Sequence, residues 1–415
     1  MPSVCFYFQV HQPYRIRKYS YFDIGSNLPY FKEEGGDDLN NKGVMRKVAE
    51  KCYLPTNKLL LDVIKKHPEF YASFSFSGVA IEQMEKYAPD ALQSFRDLVD
   101  TGRVEVLAET YYHSLAFLYS QEEFRRQVEM NKKKVEEVFG VTPRIFRCTE
   151  LAYSNEIAKE AEEMGFKGVL GEGVHQLLGW RSPDFLYKPK GSDIALFLKN
   201  YKLSDDIAFR FSEKEWKEHP LTAEKFARWV SQVNGNGELV NLFMDYETFG
   251  EHQWEETGIF DFLRALPGEI MKDKDNDFVT LSGAMERYPM RDEVDVPYIT
   301  SWADLERDLS AWIGNDMQRD ALHKLYEIKQ EVLETGNEDI IDTWRKMQTS
   351  DQFYYMSTKG MGCGEVHNYF NPYESPYDAF ISFMNALNDL KLRIEDEEKR
   401  EKKDELSKEA SKNNL

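Results

Sequence analysis

Short β-rich apolar runs alternate with amphipathic helical segments through roughly the first 280 of the 415 residues. Strand-like runs fall at residues 4–10, 70–76, 103–107, 143–147, 166–170, 185–187, 194–198, 238–244 and 277–281. Helical spacing lies between them, at 44–67, 121–139, 154–164, 222–232 and 256–266. Strands joined through helices pair in parallel, because a crossover helix returns the chain to the same end of the sheet. A run as apolar as Leu239-Val240-Asn241-Leu242-Phe243-Met244 suits a strand covered on both faces. The alternation and its length together predict an α/β fold whose parallel sheet is a closed or nearly closed, TIM-like barrel.

The runs end in chemistry. His11 follows the first strand, Glu109 and His113 the third, and Glu150 the fourth; Glu172, Asp245 and His252 follow later ones. In a parallel barrel all strand ends share one rim, so residues far apart in sequence converge there. Eight histidines scattered at random would not tend to put three just past strand ends.

Beyond about residue 302 the texture becomes helical, at 303–335 and 339–350, followed by an irregular aromatic segment at 351–377. We therefore expect a barrel over 1–300, a helical region over 301–393 that contributes to a substrate groove, and a charged tail over 394–415. That tail is nearly devoid of large apolar residues and is expected to fray. The polar, aromatic stretch from His11 to Gly43 reads as a long loop, a kind that is usually functional or mobile.

Composition narrows the function by exclusion. Acids outnumber bases by 73 to 53, a net charge of −20, which disfavours nucleic-acid and anionic-membrane partners. No apolar stretch approaches the roughly 18 residues of a membrane span, and the N-terminus reads as a first strand, not a signal peptide. Cys5, Cys52, Cys148 and Cys363 form no C-x-x-C pair, so neither a zinc ribbon nor a disulfide framework is signalled; a reduced, cytoplasmic protein is expected. Aromatics reach 14%, which hints at sugar-ring stacking but is also plain core material.

Two carboxylates on one rim suit glycoside hydrolysis, one supporting the anomeric carbon and the other protonating the leaving oxygen. Arg147, three residues before Glu150, would hold that carboxylate ionised, while the apolar run before Asp245 would favour its protonated form. A metal site built from His11, His113, His252 and Asp245 is an alternative, although no H-x-x-H or H-E-x-x-H spacing supports it. His67, His219 and His323 read as surface or helix residues, and His175 and His367 fall in loops.

Five stretches, in order, resemble the sequence regions of glycoside hydrolase family 57, and in particular its α-amylase-type members. They are His11-Gln12-Pro13; Gly102-Arg103-Val104-Glu105-Val106-Leu107; Cys148-Thr149-Glu150-Leu151; the segment from Met244 to His252; and Ser350-Asp351-Gln352-Phe353-Tyr354-Tyr355-Met356. The resemblance covers residues 1 to about 380. It implies an incomplete (β/α)7 barrel with a helical C-terminal region, and a retaining mechanism on α-glucosidic bonds, here of starch- or glycogen-like substrates; no cofactor and no metal is expected. By position, Glu150 resembles the nucleophile, Asp245 the general acid/base and His11 a sugar-contacting histidine; Glu105 and His252 resemble supporting site residues. Gln352 stands where the family pattern has a histidine, and His252 where some glucanotransferases carry a tryptophan. His113 is expected to hydrogen-bond the sugar as well. Trp254, Trp302 and Tyr354 are candidate stacking platforms, and Asp351 a further contact. The alternatives are a 4-α-glucanotransferase on the same site, a metal-dependent carbohydrate hydrolase and an inert glycan-binding protein. The sequence carries no signal for oligomeric state.

Overall fold

The computed structural model describes residues 2–35, 37–359 and 371–412; Cys363 and His367 lie outside the described residues. The chain forms two compact units. The first comprises residues 1–12, 44–113 and 122–309, and the second 13–43, 114–121 and 310–415.

The first unit holds the strands: β1 (Ser3–Val10), β2 (Ala72–Phe76), β3 (Val104–Leu107), β4 (Ile145–Phe146), β5 (Gly168–Glu172), β6 (Lys188–Pro189), β7 (Ala195–Lys199), β8 (Leu239–Asp245), β9 (Asp277–Phe278) and β10 (Glu293–Val294). Among the described residues, seven parallel strands make the barrel ring, in the order β8-β1-β2-β3-β4-β5-β7. β1 pairs with β8 in the register Tyr7↔Phe243 and with β2 in the register Tyr7↔Ser73, and β2 passes to β3 at Ser73↔Glu105. Two seams are thinner. β3 meets β4 only through Ala108, whose N–H donates to the Ile145 carbonyl (3.0 Å) and whose carbonyl accepts from Arg147 N–H (2.9 Å). β7 meets β8 through the Asn200 N–H on the Asn241 carbonyl (2.9 Å) and the Asn241 Nδ2 on the Leu198 carbonyl (2.9 Å). Asn241, the one polar residue in the apolar run, thus stitches the seam where ladder bonds are missing. The result is an incomplete (β/α)7 barrel, as the resemblance implies.

Strand alternation sorts the ring into two cores. Val4, Phe6, Phe8 and Val10 of β1 face outward and pack with Phe74, Phe76, Leu242 and Met244 against the surrounding helices. Cys5 and Tyr7 face inward and pack with Leu107, Ile145, Leu170, Phe197 and Phe243. Both faces are apolar, which is why these strands read as continuous runs. The outer helices are amphipathic; Gln121–Phe139 buries Phe124, Val128, Val135 and Val138 on one stripe. Several expected strands are shorter than their runs; the run at 143–147 pairs only as β4 (Ile145–Phe146). Residues 185–187 give only an isolated Tyr187↔Leu196 bridge before β6, and β9 stops at Phe278 because Thr280 caps the helix Leu281–Arg287.

The second unit is helical: Asp316–Glu327, Glu338–Met347, Ser350–Tyr354 and Pro376–Lys412 are its main helices. Its centre includes fully buried Trp344, whose indole N–H donates to the Leu325 carbonyl (2.8 Å). The stretch 13–43 belongs here and is tied down. Asn41 Oδ1 accepts from Arg15 N–H (2.8 Å), Gln352 Nε2 donates to the Tyr14 carbonyl (2.7 Å), and Tyr30 donates its hydroxyl proton to Asp389 (2.5 Å). The last helix continues to Lys412, over the segment where fraying is expected from composition, with pairs such as Lys402–Glu398 (3.5 Å) along it. Among the described residues no helix is long and apolar enough to cross a membrane.

Candidate active site

Each ring strand presents one inward polar side chain at or just past its C-terminal end. They are Gln9 from β1, Ser75 from β2, Glu109 after β3, Arg147 after β4, Glu172 from β5, Lys199 from β7 and Asp245 from β8. They stand above the apolar inner layer of Tyr7, Leu107 and Phe243. Glu109 and Arg147 are wholly buried and 3.7 Å apart. Ser75 Oγ (2.8 Å) and Gln9 Nε2 (3.3 Å) donate to the Glu109 carboxylate, and Arg147 Nη2 donates to Gln9 Oε1. A buried charge survives only when it is compensated; here Glu109 and Arg147 compensate each other as an ion pair, while Arg147 Nε and Nη1 make no hydrogen bond of their own.

Glu150 sits at the rim of the ring. It occupies the short turn Thr149–Leu151 with left-handed backbone (φ 57°, ψ 29°), and Leu151 follows at φ 50°. Non-glycine residues held this way mark positions that the surroundings over-determine, commonly at functional sites. Here the surroundings are explicit. Ser301 Oγ donates to the Glu150 carbonyl (2.7 Å), and the Thr110 and Thr149 hydroxyls bond each other (2.7 Å). The carboxylate receives the Trp302 indole N–H on Oε2 (3.1 Å), and His113 Nε2 lies 3.3 Å from Oε1. Its side chain keeps 14% exposure, whereas Glu109 beneath has none.

His113 bridges the two carboxylates, with Nδ1 3.5 Å from Glu109. Burial works against its charge, but hydrogen bonds and charges from Glu109 and Glu150 outweigh it and lift the imidazole to about 9. His11 stacks on it, ring centroids 4.0 Å apart, and its Nδ1 is 2.7 Å from Ser77 Oγ. The Arg147 guanidinium and the Lys199 ammonium both lie over the Trp302 ring, at 4.8 and 5.5 Å from its centroid. Lys199 also faces Asp205 (3.0 Å) and Glu172 (3.7 Å), and Arg307 joins the same pair at 3.0 and 3.4 Å. Arg307 donates to the Trp302 carbonyl as well (2.6 Å), fixing the loop that carries the indole.

Asp245 faces the opposite electrostatics. Burial and the Glu150 charge push its carboxyl up to about 6, against the pull of Arg147, His113 and Lys199. Two residues on, Glu247 is buried behind β1 and β8. Burial and Asp245 push it up to about 8, and Tyr53 donates its hydroxyl proton to it. The pair therefore joins a carboxylate supplied with donors to a carboxyl that holds its proton into the weakly acidic range.

The sequence-derived candidates separate under this geometry. His11, His113, Glu150, Asp245 and Trp302 converge. Trp302 differs from a free stacking platform, because its N–H is committed to Glu150 and cations lie over its ring. His252 lies in the turn after β8, its N–H on the Glu247 carbonyl (2.9 Å) and its imidazole held neutral by burial, down to about 4. Glu105 does not reach the ring; it points inward two residues below Leu107 and four below Glu109. There it accepts from Ser73 Oγ (3.1 Å), Ser282 N–H (3.1 Å) and Ser282 Oγ, at the far end of the barrel. Trp254 stands on the outer side of the barrel, 54% exposed. Asp351 and Tyr354 belong to the second unit, in the helix Ser350–Tyr354, where the Tyr354 ring is 6.0 Å from Trp312. Among the described residues no three His, Cys, Asp or Glu side chains are grouped to hold a metal ion. Gln9, Ser75 and Lys199 escaped the sequence reading; the only signal was parity, since Gln9 lies two residues before His11 and shares its face.

Comparison with known proteins shows the family and the fold. Residues 5–297 match Glycosyl hydrolase family 57. A Methanocaldococcus jannaschii protein named "Putative alpha-amylase" is 44% identical over 405 residues, which is 95% of this chain and 85% of the relative. A Thermococcus litoralis 4-alpha-glucanotransferase is 24% identical over 272 residues, covering 64% of this chain and 40% of that protein. A crystal structure of 4-alpha-glucanotransferase from that organism superposes with TM-score 0.63 and 18% identity, over 85% of this chain and 56% of the other. A branching enzyme of Thermococcus kodakaraensis superposes with TM-score 0.64 and 17% identity, over 89% and 88%. At such identities the superpositions speak to the fold.

Proposed function

The chain belongs to glycosyl hydrolase family 57, and we propose that within this family of carbohydrate-active enzymes it is a retaining α-glucan hydrolase. Glu150 is the nucleophile and Asp245 the general acid/base, acting on α-1,4-glucosidic bonds. The observation that carries the reading is the contrast between the two carboxyls. Glu150 is fed by Trp302 and His113, whereas Asp245, half-buried at the end of β8, is pushed up to about 6 by desolvation and by the Glu150 charge.

A Glu150 carboxylate oxygen bonds to the anomeric carbon while the glycosidic C–O bond breaks, and Asp245 gives its proton to the departing oxygen. The charge of Glu150 disappears on forming the ester. One of the causes raising Asp245 is thereby removed, so Asp245 becomes the base that takes a proton from the incoming water. Water attacks the anomeric carbon, the ester bond breaks, and Glu150 is released as carboxylate. His11, half-buried beside the nucleophile, is the histidine placed to bind a sugar hydroxyl; His113, expected from the sequence to do the same, is buried with both ring nitrogens facing Glu109 and Glu150 and instead positions the nucleophile.

A second reading, transfer of the glucosyl unit to another sugar, is favoured by the Thermococcus litoralis relative, which is named a 4-alpha-glucanotransferase. Incubation with maltoheptaose separates the two. Only shorter maltooligosaccharides appear if water is the acceptor, and longer ones appear beside them if a sugar is. The cytoplasmic placement read from the sequence is part of this proposal.

A further inference from the structure

A cleft of about 650 Å³ opens on the outer side of β1 and β8. The two sides of these strands are separate environments. Asp245 faces inward with Gln9, whereas Leu59 of the cleft packs into the outer core with Phe8, Tyr246 and Phe249. The cleft lies between the helices Leu54–Lys66 and Ile259–Ile270, with Leu59 and Phe260 on its apolar side and Lys58, Asp62 and Glu256 among its polar groups. Its volume lies within the roughly 300–1,000 Å³ usual for small-molecule sites.

Trp254 stands in this cleft with 54% of its surface exposed. The ring is nonetheless fixed. Its Nε1 donates to the Glu251 carbonyl (3.1 Å), and its own carbonyl accepts from Thr257 N–H (3.0 Å) and Thr257 Oγ1 (2.6 Å). Lys51 Nζ sits 5.8 Å from the ring centroid. The loop is pressed onto the π-helical turn Ala49–Tyr53: at Gly250 (φ 110°) a Cβ would fall 2.0 Å from the Lys51 carbonyl oxygen, so only glycine fits. An exposed, immobilised indole beside a mixed carboxylate and ammonium rim offers an apolar face for the C–H side of a sugar ring. The rim supplies donors and acceptors for its hydroxyls.

We propose that this cleft is a second, non-catalytic binding site for an α-glucan chain, holding a neighbouring stretch of a polymeric substrate on the outside of the barrel. The site rests on the substrate class proposed above and adds a location that the catalytic ring does not require.

The test is calorimetric titration of the full chain carrying Glu150→Gln with maltoheptaose, against the same chain also carrying Trp254→Ala or Trp254→Phe. Two bound oligosaccharides per chain are expected with Trp254, one with alanine, and two with phenylalanine at a weaker second site. Affinity at that site should fall by about tenfold or more on removal of the ring. Equal stoichiometry in the tryptophan and alanine forms overturns the site. Wild-type turnover of maltoheptaose, measured alongside, keeps the two proposals distinct. Turnover with a stoichiometry indifferent to Trp254 defeats the cleft and spares the catalytic reading. Trp254-dependent binding without turnover defeats the catalytic reading and spares the cleft.

Discussion

The indole N–H of Trp302 donates to Glu150 Oε2 across 3.1 Å, joining a loop outside the ring strands to the carboxylate that carries the proposed chemistry. Because the Arg147 and Lys199 cations lie over the same ring, Trp302 positions Glu150 and its counter-charges together. Trp302→Phe keeps the aromatic face and deletes the donor. Loss of one hydrogen bond to a charged group, worth about 1.5–3 kcal/mol, should lower kcat about tenfold or more while moving KM little. Steady-state kinetics on maltoheptaose checks this; a variant with normal kcat and raised KM would instead make Trp302 a sugar platform.

As the proposed general acid, Asp245 must start protonated. With its carboxyl pushed up to about 6, the alkaline limb of kcat/KM is expected near pH 6 in the free enzyme. Asp245→Asn should abolish that limb and cut maltoheptaose turnover by orders of magnitude. It should spare the first step on α-maltosyl fluoride, whose leaving group needs no proton. Equal losses on both substrates would count against the acid role.

Glu109 is the buried counter-charge beneath the site. Glu109→Gln leaves Arg147 wholly buried without its partner and removes one of the two carboxylates that keep His113 charged. Breaking such a pair costs about 3 kcal/mol or more, so the urea midpoint should fall clearly. An unchanged midpoint would show that Gln9 and the rest of the cluster suffice to hold Arg147.

Stability should decline on the alkaline side. His113, raised to about 9, contributes stability that is complete below the unfolded value of 6.5 and lost as pH rises towards 9. Glu247, raised to about 8, keeps its proton in the fold while the unfolded carboxyl has already lost it. Both therefore make the folded chain the better proton binder between about pH 6.5 and 8, each at about 1.4 kcal/mol per pH unit. The opposite shift of His252, down to about 4, acts below pH 6.5 and is spent there. Urea titrations from pH 6.5 to 8 should show falling stability, with a shallower slope in Glu247→Gln; a rising profile would contradict the assignment.

The alternation of apolar runs with helices is enough to predict a parallel barrel, and the acids and histidines ending those runs foretell the rim. Axial height is harder to read. Glu105 and Glu109 share a strand face, but only the long-range contact with Ser282 reveals that Glu105 serves the opposite end. Parity along the strands was hidden because both faces are apolar; Phe6 and Phe8 point out, Cys5 and Tyr7 in, and Gln9 follows them inward. Trp302 and Arg307 come from irregular chain and owe their place to partners 102 or more residues away, which no local pattern encodes. Trp254 looks like a neighbour of the site in sequence, yet the loop after β8 turns it outward onto the Ala49–Tyr53 turn.

The most direct measurement is covalent trapping. The protein is treated with 5-fluoro-α-glucosyl fluoride, which forms the glycosyl ester faster than water releases it, then digested and mapped by mass spectrometry. The expected result is one adduct, on the peptide that carries Glu150, absent from the Glu150→Gln protein. An adduct on Asp245 or another carboxylate, or inverted anomeric configuration in the first-formed product, would contradict the retaining role of Glu150.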